Sequence, residues 1–467
     1  MPSKILLVNV NRCVSPDPVF PLGMAYVSAA LRRAGHRTRW WDLQVDGPGL
    51  EEVLQQERPD FAGISLRNID DILIGTRETF FDHVAAISEL IHTKAHCPVI
   101  LGGSGFSIFP RPLLERTGAD YGICGEGEAS MVALVDALEK GADPRTVPGL
   151  VYRTGEGTIA VNPKAPSAPT WGLGTEGWPA EVVRHYLAKS RMLNVQTQRG
   201  CALHCAYCTY PVLEGKHPRS RDPEMVADEF ASLNRIGAPF VFIVDSVFNS
   251  SPAHVQAICE AILRRNVRMR WGCFLRPQGV SAELMALMAR AGLSNIEFGT
   301  DSFCDEVLPH YGKSFTFEDV LLTSQLAHRH KIDHCHFLIC GGPGETERTL
   351  AESFANSRQL PDAPIMAVVG MRIYPGTALE HRAQAEGRIQ PETDLLVPTY
   401  YLAEGLTEQT VFSQLHRFAV ESPNWIPGAP SPGLTELGRR LRQKGVTGPL
   451  WSHFPALQRL APNPGSA

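Results

Sequence analysis

Gln198-Arg-Gly-Cys-Ala-Leu-His-Cys-Ala-Tyr-Cys-Thr-Tyr-Pro211 is the stretch on which the reading of this chain turns. Its three cysteines, Cys201, Cys205 and Cys208, are spaced Cys-x3-Cys-x2-Cys and directly follow a run with strand character, Asn194–Gln198. A cubane iron–sulfur cluster needs thiolates converging from a compact loop, and cysteines three and four residues apart can each take one corner. Four protein thiolates would make an electron-transfer centre. Three leave one iron open, and an open metal position is where a substrate or cofactor coordinates. Zinc is the alternative, but zinc knuckles and ribbons pair a short Cys-x2-Cys with a second pair downstream, and none occurs here. His204 sits between two of the cysteines and could in principle ligate, although a position between two ligands usually points away from the metal.

Outward from this loop, apolar runs and helical patterns alternate. Strand-like runs at Phe240–Val244, Arg270–Phe274, Asn295–Phe298, His336–Ile339 and Ala367–Ile373 enclose helical ones at Glu224–Ile236, Pro252–Asn266, Ala282–Ala291, Phe317–His330 and Thr346–Gln359. With Asn194–Gln198 this makes six strands and predicts a partial (β/α)6 barrel over residues 191–385, with its site at the carboxyl ends of the strands. Residues 1–145 show a second alternation, from Lys4–Val10 to Ser130–Lys140, and predict a doubly wound, Rossmann-like sheet. Between them, residues 146–190 are rich in Pro and Gly and read as a linker with few crossing contacts, holding a β-hairpin at Leu150–Val161. Residues 386–467 read as a mainly helical region capping the barrel, where Tyr400, Tyr401 and Trp425 pack or line a pocket. The fold class is α/β.

At 467 residues the chain exceeds one hydrophobic core, and a net charge of −5 gives no general footprint for nucleic acid. Eleven irregularly spaced cysteines argue for a reducing compartment rather than a disulfide scaffold. No transmembrane run and no signal segment are found, so a cytoplasmic location is expected.

The cysteine spacing, with an aromatic before the third cysteine, resembles the signature of the radical S-adenosylmethionine (SAM) superfamily. Cys201, Cys205, Tyr207 and Cys208 match it residue by residue. The resemblance implies a 4Fe–4S cluster whose open iron chelates the methionine end of SAM, and reductive cleavage to a 5′-deoxyadenosyl radical. Later motifs fall in the family's order, over roughly Met192–Leu379. Phe242-Ile-Val-Asp245 resembles the second-strand motif whose acid meets the methionine amino group. Arg276 closes the next strand and suits a carboxylate. Glu297-Phe-Gly-Thr-Asp-Ser302 resembles the segment at the cofactor ribose, which assigns Glu297 and Ser302 there. Cys340-Gly-Gly-Pro-Gly-Glu-Thr346 resembles the fifth-strand turn whose glycines, Gly341 and Gly342, let backbone approach adenine.

Residues 1–145 resemble the cobalamin-binding domain that some of these enzymes carry. Pro21-Leu-Gly-Met-Ala-Tyr26 includes Gly23, Leu101-Gly-Gly-Ser-Gly-Phe-Ser107 includes Gly102, Gly103 and Ser104, and Gly125-Glu-Gly-Glu128 includes Gly125, Glu126 and Gly127. Glycines at strand ends remove side chains that would collide with a broad, flat corrin, while Ser65 and Ser104 offer small polar partners to its nucleotide tail. The Asp-x-His-x-x-Gly motif that supplies an axial histidine in many cobalamin proteins is absent, and Arg67 is the candidate for the corrin's lower face.

Together these resemblances imply a cobalamin-dependent radical enzyme that methylates an unactivated carbon, or a phosphorus, of a small-molecule, lipid or peptide substrate. It would draw electrons from an external donor such as flavodoxin or ferredoxin. Radical cyclisation or rearrangement and aminocarboxypropyl transfer are the alternatives within the class. A non-catalytic metal-binding regulator is the alternative outside it.

Overall fold

The computed structural model describes residues 2–165, 171, 175–360, 363–428 and 432–453. Lys4–Asn9 (KILLVN) is a strand with five of its six residues buried, as a strand covered on both faces requires. It is β1 of a sheet with β2 (Arg37–Asp42), β3 (Phe61–Ser65), β4 (Val99–Gly102) and β5 (Tyr121–Ile123), ordered 2-1-3-4-5 and all parallel. The chain order reverses beside β1, and in open α/β sheets ligands bind outside the carboxyl ends of the strands at such a switch point.

The hairpin falls where its glycines place it, as β6 (Leu150–Arg153) and β7 (Ile159–Val161). It is not part of a free linker, because β6 pairs antiparallel with β5 and extends the first sheet. The helix Ala180–Lys189 is tied back as well: Tyr186 donates to Asp42 Oδ2 at 2.9 Å beneath β1 and β2. Both large apolar cores run from the first sheet into the second, so the two halves share their interior. Residues 166–170 and 172–174 of the expected linker lie outside the described residues.

The second sheet is parallel and in chain order: β8 (Leu193–Val195), β9 (Phe240–Ile243), β10 (Arg270–Leu275), β11 (Leu293–Asp301), β12 (Asp333–Cys340), β13 (Ile365–Val369) and β14 (Trp425–Pro427). It is a partial barrel with one strand more than the six expected. The extra strand has only three residues and ends in Pro427, which reads as a turn in sequence. At a sheet edge the missing N–H costs nothing. Trp425 is fully buried there, its Nε1 donating to Ser357 Oγ at 3.1 Å, so it packs rather than lining a pocket. Tyr400 and Tyr401 pair with Met371 and Arg372.

The helices between these strands start under side-chain caps from Asp222, Ser251, Ser281, Thr316 and Thr346. Each cap is worth about 1 kcal/mol and fixes where a strand-end loop stops. The C-terminal segment enters the barrel at the amino ends of the strands, where Asn295 donates to Ser452 Oγ at 3.0 Å and Trp451 Nε1 donates to Glu297 at 2.9 Å. Among the described residues no helix is long and apolar enough to cross a membrane. Residues 429–431 and 454–467 of the capping region lie outside the described residues.

Candidate functional site

The three-cysteine loop leaves β8 through a fixed bracket. Asp245, fully buried after β9, accepts from Thr197 N at 2.6 Å, Thr197 Oγ1 at 2.5 Å and Gln198 N at 3.2 Å. Burial pushes its carboxyl up to about 7 even against the lowering effect of these donors. Asp245 therefore anchors the base of the loop, in place of the open position facing a bound amino group that its motif suggested. Gly200 has φ +87°, and a Cβ there would meet His217 O at 2.3 Å, so only glycine lets the chain turn. Cys201 N then donates to Gly215 O at 3.0 Å, Ala206 N to Tyr311 O at 2.9 Å, and Leu379 N to Ala206 O at 2.8 Å.

Backbone thus holds the loop, leaving the thiols for chemistry. Cys201 is buried, Cys205 and Cys208 partly so, and all three are free. Burial pushes the Cys208 thiol up to about 12, with Cys205 and Cys201 adding to it and the Lys313 ammonium opposing it. Among the described residues no three His, Cys, Asp or Glu side chains converge tightly enough to hold a metal ion. Three soft donors that feel one another without closing on one point fit a cluster, which takes each thiolate at a separate iron, better than a mononuclear zinc site.

Around this loop the expected SAM-side residues separate. Tyr207 donates to Asp301 Oδ2 at 2.6 Å, and Lys313 Nζ lies 2.6 Å from the same oxygen. Register slips between Phe298 and Asp301, and Asp301 has φ +65°. The slip turns Asp301 toward Tyr207 and sends Ser302 away, buried with its Oγ 3.3 Å from Ser353 Oγ. Ser302 is thus corrected to a packing position. Glu297 stays with the barrel interior, and burial pushes its carboxyl up to about 7 despite the Trp451 N–H. Arg276 ends β10 bonded to Gln278 and Ser314, over the face of Phe315. Gly341 N donates to Glu345 and Gly342 N to Tyr311 Oη at 3.0 Å, so both amides are already used.

The expected corrin-side residues, by contrast, come together. Gly23, Ser65, Arg67, Gly102, Gly103, Ser104, Gly125, Glu126 and Gly127 all line one cavity of about 450 Å³ at the carboxyl ends of β1, β3, β4 and β5. A Cβ on Gly23 would meet nothing within 4 Å, so there the missing side chain leaves room. Glu126 contributes wall, but its carboxylate is bound by Arg199 and Arg219. The opposite wall includes Thr209 and Tyr210, adjoining Cys208, with Leu213 and Val244. Gly103 shows how tightly the wall is set: φ is +102° and a Cβ would stand 2.4 Å from Leu66 O. Gly103→Ala is expected to strain this wall by about 1–3 kcal/mol. If the loop relieves the strain by moving into the cavity, hydroxocobalamin affinity falls by about tenfold, 1.4 kcal/mol, in a visible-absorbance titration.

Comparison with known proteins follows this division. Residues 195–355 match the radical SAM superfamily, and residues 9–135 match the B12 binding domain. The chain thus carries a radical SAM domain behind an N-terminal B12-binding domain. The chain is 26% identical to the tryptophan 2-C-methyltransferase of Streptomyces laurentii over 82% of its own length and 75% of the relative's. It is 28% identical to the hopanoid C-3 methylase of Methylococcus capsulatus over 64% of its own length and 59% of that protein's. Its fold matches the radical S-adenosylmethionine methyltransferase TsrM from Kitasatospora setae, solved with cobalamin and a [4Fe-4S] cluster, with a TM-score of 0.85. That match has 23% identity and covers 98% of both chains.

Residues that the motifs did not single out also shape the site in the radical SAM domain. Asp301 lay inside a quoted motif, and only the bulge, which leaves no sequence mark, makes it the residue that faces Tyr207. Lys313 had no signal beyond a charge after Gly312. A Cβ on Gly312 would meet His204 O at 2.1 Å, which is how Lys313 comes so close to the cysteine loop.

Proposed function

We propose that this protein is a cobalamin-dependent methyltransferase acting on a carbon, or a phosphorus, of a small organic substrate. The observation that carries this reading is the shared cavity: glycine loops of the B12-binding domain form one wall, and Thr209 and Tyr210 beside Cys208 form the other. The names of the two relatives, a carbon methyltransferase for tryptophan and one for hopanoids, support the same reaction class. When bound, the cluster with SAM would supply a radical-generating or activating centre, and cobalamin would carry the methyl group.

In this reading Cys201, Cys205 and Cys208 hold the cluster. Lys313, near Cys205 and paired to Asp301, offsets thiolate charge, and Tyr207 fixes Asp301 between them. Arg276, just past the carboxyl end of β10, is the candidate for SAM's polar groups, whereas Glu297, bonded to Trp451 toward the amino ends of the strands, is not placed to meet them. Ser65, Ser104 and the glycines of the first sheet cradle the corrin, with Arg67 at the mouth. Leu213, Val244 and the ring of Tyr210 present apolar surface that keeps water from the space between the two sites. A low-potential donor of the flavodoxin or ferredoxin class serves the cluster, and eleven free cysteines suit a reducing cytoplasm.

Anaerobic reconstitution with iron, sulfide and hydroxocobalamin tests the reading. Expected are one corrin retained per chain and S-adenosylhomocysteine as the product derived from the methyl donor. Methylthioadenosine would instead indicate aminocarboxypropyl transfer, and deoxyadenosine alone would indicate a radical rearrangement. Full cluster loading with no retained corrin overturns the reading.

A further inference from the structure

Five charged side chains, four of them in the cavity wall, run from the cavity to the cysteine loop, and the reaction proposed above gives none of them a role. Arg199 stands two residues before Cys201. Its Nη1 donates to Glu126 at 3.1 Å and to Glu128 at 3.2 Å, its Nη2 to Glu128 at 2.6 Å, and its Nε to Gln196 at 2.8 Å. Gln196 Nε2 donates onward to Glu214 at 3.0 Å, and the second oxygen of Glu214 accepts from Gly200 N at 3.0 Å. Arg219 closes the circuit by donating to Glu126 and, at 3.0 Å, to the carbonyl of Glu214. The Arg199 guanidinium also lies 4.3 Å from the Trp171 ring.

Both cofactor sites are built into this circuit. Glu126 and Glu128 flank Gly127 at the start of the helix Gly127–Glu139, in the turn that walls the cavity. Arg199 and Gly200 begin the cysteine loop, and Glu214 and Arg219 end it. The charges are deeply enclosed, with side-chain exposures of 7% for Arg199, 8% for Glu126 and 10% for Glu128. Burying ion pairs seldom stabilises a fold more than apolar packing of the same volume would, so stability alone is a weak reason for this network. What it does provide is sharp dependence on geometry. The two-pronged contact of Arg199 is satisfied only when the turn and the loop are in one relative position.

We propose that Arg199 is a positioning residue through which corrin binding and cluster assembly are thermodynamically coupled, each favouring the arrangement that the other needs. The proposal rests on the assignment of the corrin to the cavity and the cluster to the cysteines. Because coupling free energy is reciprocal, it can be read from corrin affinity alone.

The test is a hydroxocobalamin titration, followed by visible absorbance, of the full chain with its cluster assembled and again after the cluster is removed by chelation. In the wild-type protein the cluster-loaded form is expected to bind about tenfold more tightly, within the usual range of such couplings. In Arg199→Lys the ratio is expected to fall close to one, because an ammonium cannot fork across Glu126 and Glu128. Glu128→Gln removes the charge while keeping shape and is expected to lower the ratio too, which covers the case of a lysine variant that fails to fold. A structural role alone would lower stability and leave the ratio intact.

Equal affinities in the two wild-type forms overturn the coupling. A tenfold ratio that persists in both variants also overturns it, since the sites would then communicate through the Tyr210 wall. If neither form binds hydroxocobalamin, the cofactor assignment itself fails, and the coupling with it.

Discussion

Replacing Cys201, Cys205 and Cys208 together with alanine is expected to give a folded chain that still binds hydroxocobalamin, contains no iron–sulfur cluster and shows no SAM cleavage. The separation of these effects follows from how the loop is held. Its anchors are backbone bonds, Cys201 N to Gly215 O and Ala206 N to Tyr311 O, together with the Asp245 bracket at its base. Alanine keeps every one of them. Removing three sulfur atoms, only one from a buried residue, should cost less than the 2–5 kcal/mol or so of a large-to-alanine change in a core. The chemistry, in contrast, depends on these three thiols, whose Cys-x3-Cys-x2-Cys spacing occurs once in the sequence. Iron and sulfide content should fall to background, with the charge-transfer absorbance of the cluster. Corrin binding should persist at the weaker affinity of the cluster-free wild type. Full iron loading in the triple variant would show that the cluster lies elsewhere.

The contrast between the two halves of the site shows what local sequence can and cannot report. Nine residues picked for the corrin side line a single cavity, because a glycine at a strand end carries its own geometric reason: Gly103 cannot be anything else against Leu66 O. The barrel strands were equally readable from their apolar runs, except the last, where three residues ending in Pro427 gave no periodicity to detect. On the SAM side, motif order placed the residues at strand ends but could not say which way each points. A register shift between Phe298 and Asp301 leaves Asp301, not Ser302, facing Tyr207, and Asp245 is drawn beneath the loop by Thr197, 48 residues away. The Arg199 circuit is not legible in the sequence beyond Glu126, which the corrin-side motif includes. Its members are ordinary surface residue types, separated by up to 93 positions, and only tertiary structure brings them together.

Arg372→Met is expected to destabilise the protein by about 3–5 kcal/mol, the usual cost of leaving one member of a buried pair uncompensated. Asp70 and Arg372 join the two sheets opposite the Arg199 circuit, with Nε to Oδ2 at 2.9 Å and side-chain exposures of 0% and 4%. Tyr374 donates to the other oxygen of Asp70 at 3.1 Å and its ring lies 4.7 Å from the guanidinium, while Arg372 also serves the carbonyls of Ile373 and Leu395 at 2.6 and 2.8 Å. Methionine fills similar space but leaves a carboxylate and two carbonyls in a dry interface. Asp70→Leu combined with Arg372→Met should recover only part of the loss. It removes the stranded charge, but each orphaned carbonyl still costs about 1–3 kcal/mol. Chemical denaturation of the two variants beside the wild type measures both quantities, and a loss below about 1 kcal/mol in the single variant would refute the clamp. Function should follow stability here for a specific reason. Asp70 sits in the 66–83 loop that also carries Arg67 to the mouth of the cavity, and a second ion pair of that loop, Arg77 to Glu408 at 2.7 Å, is exposed and correspondingly weak. Cutting the buried pair removes this loop's buried ionic tie to the barrel, leaving bonds such as Ser104 Oγ to Arg67 O and His83 to Val10 O at its ends, so hydroxocobalamin affinity should drop in the single variant even at temperatures where it remains folded.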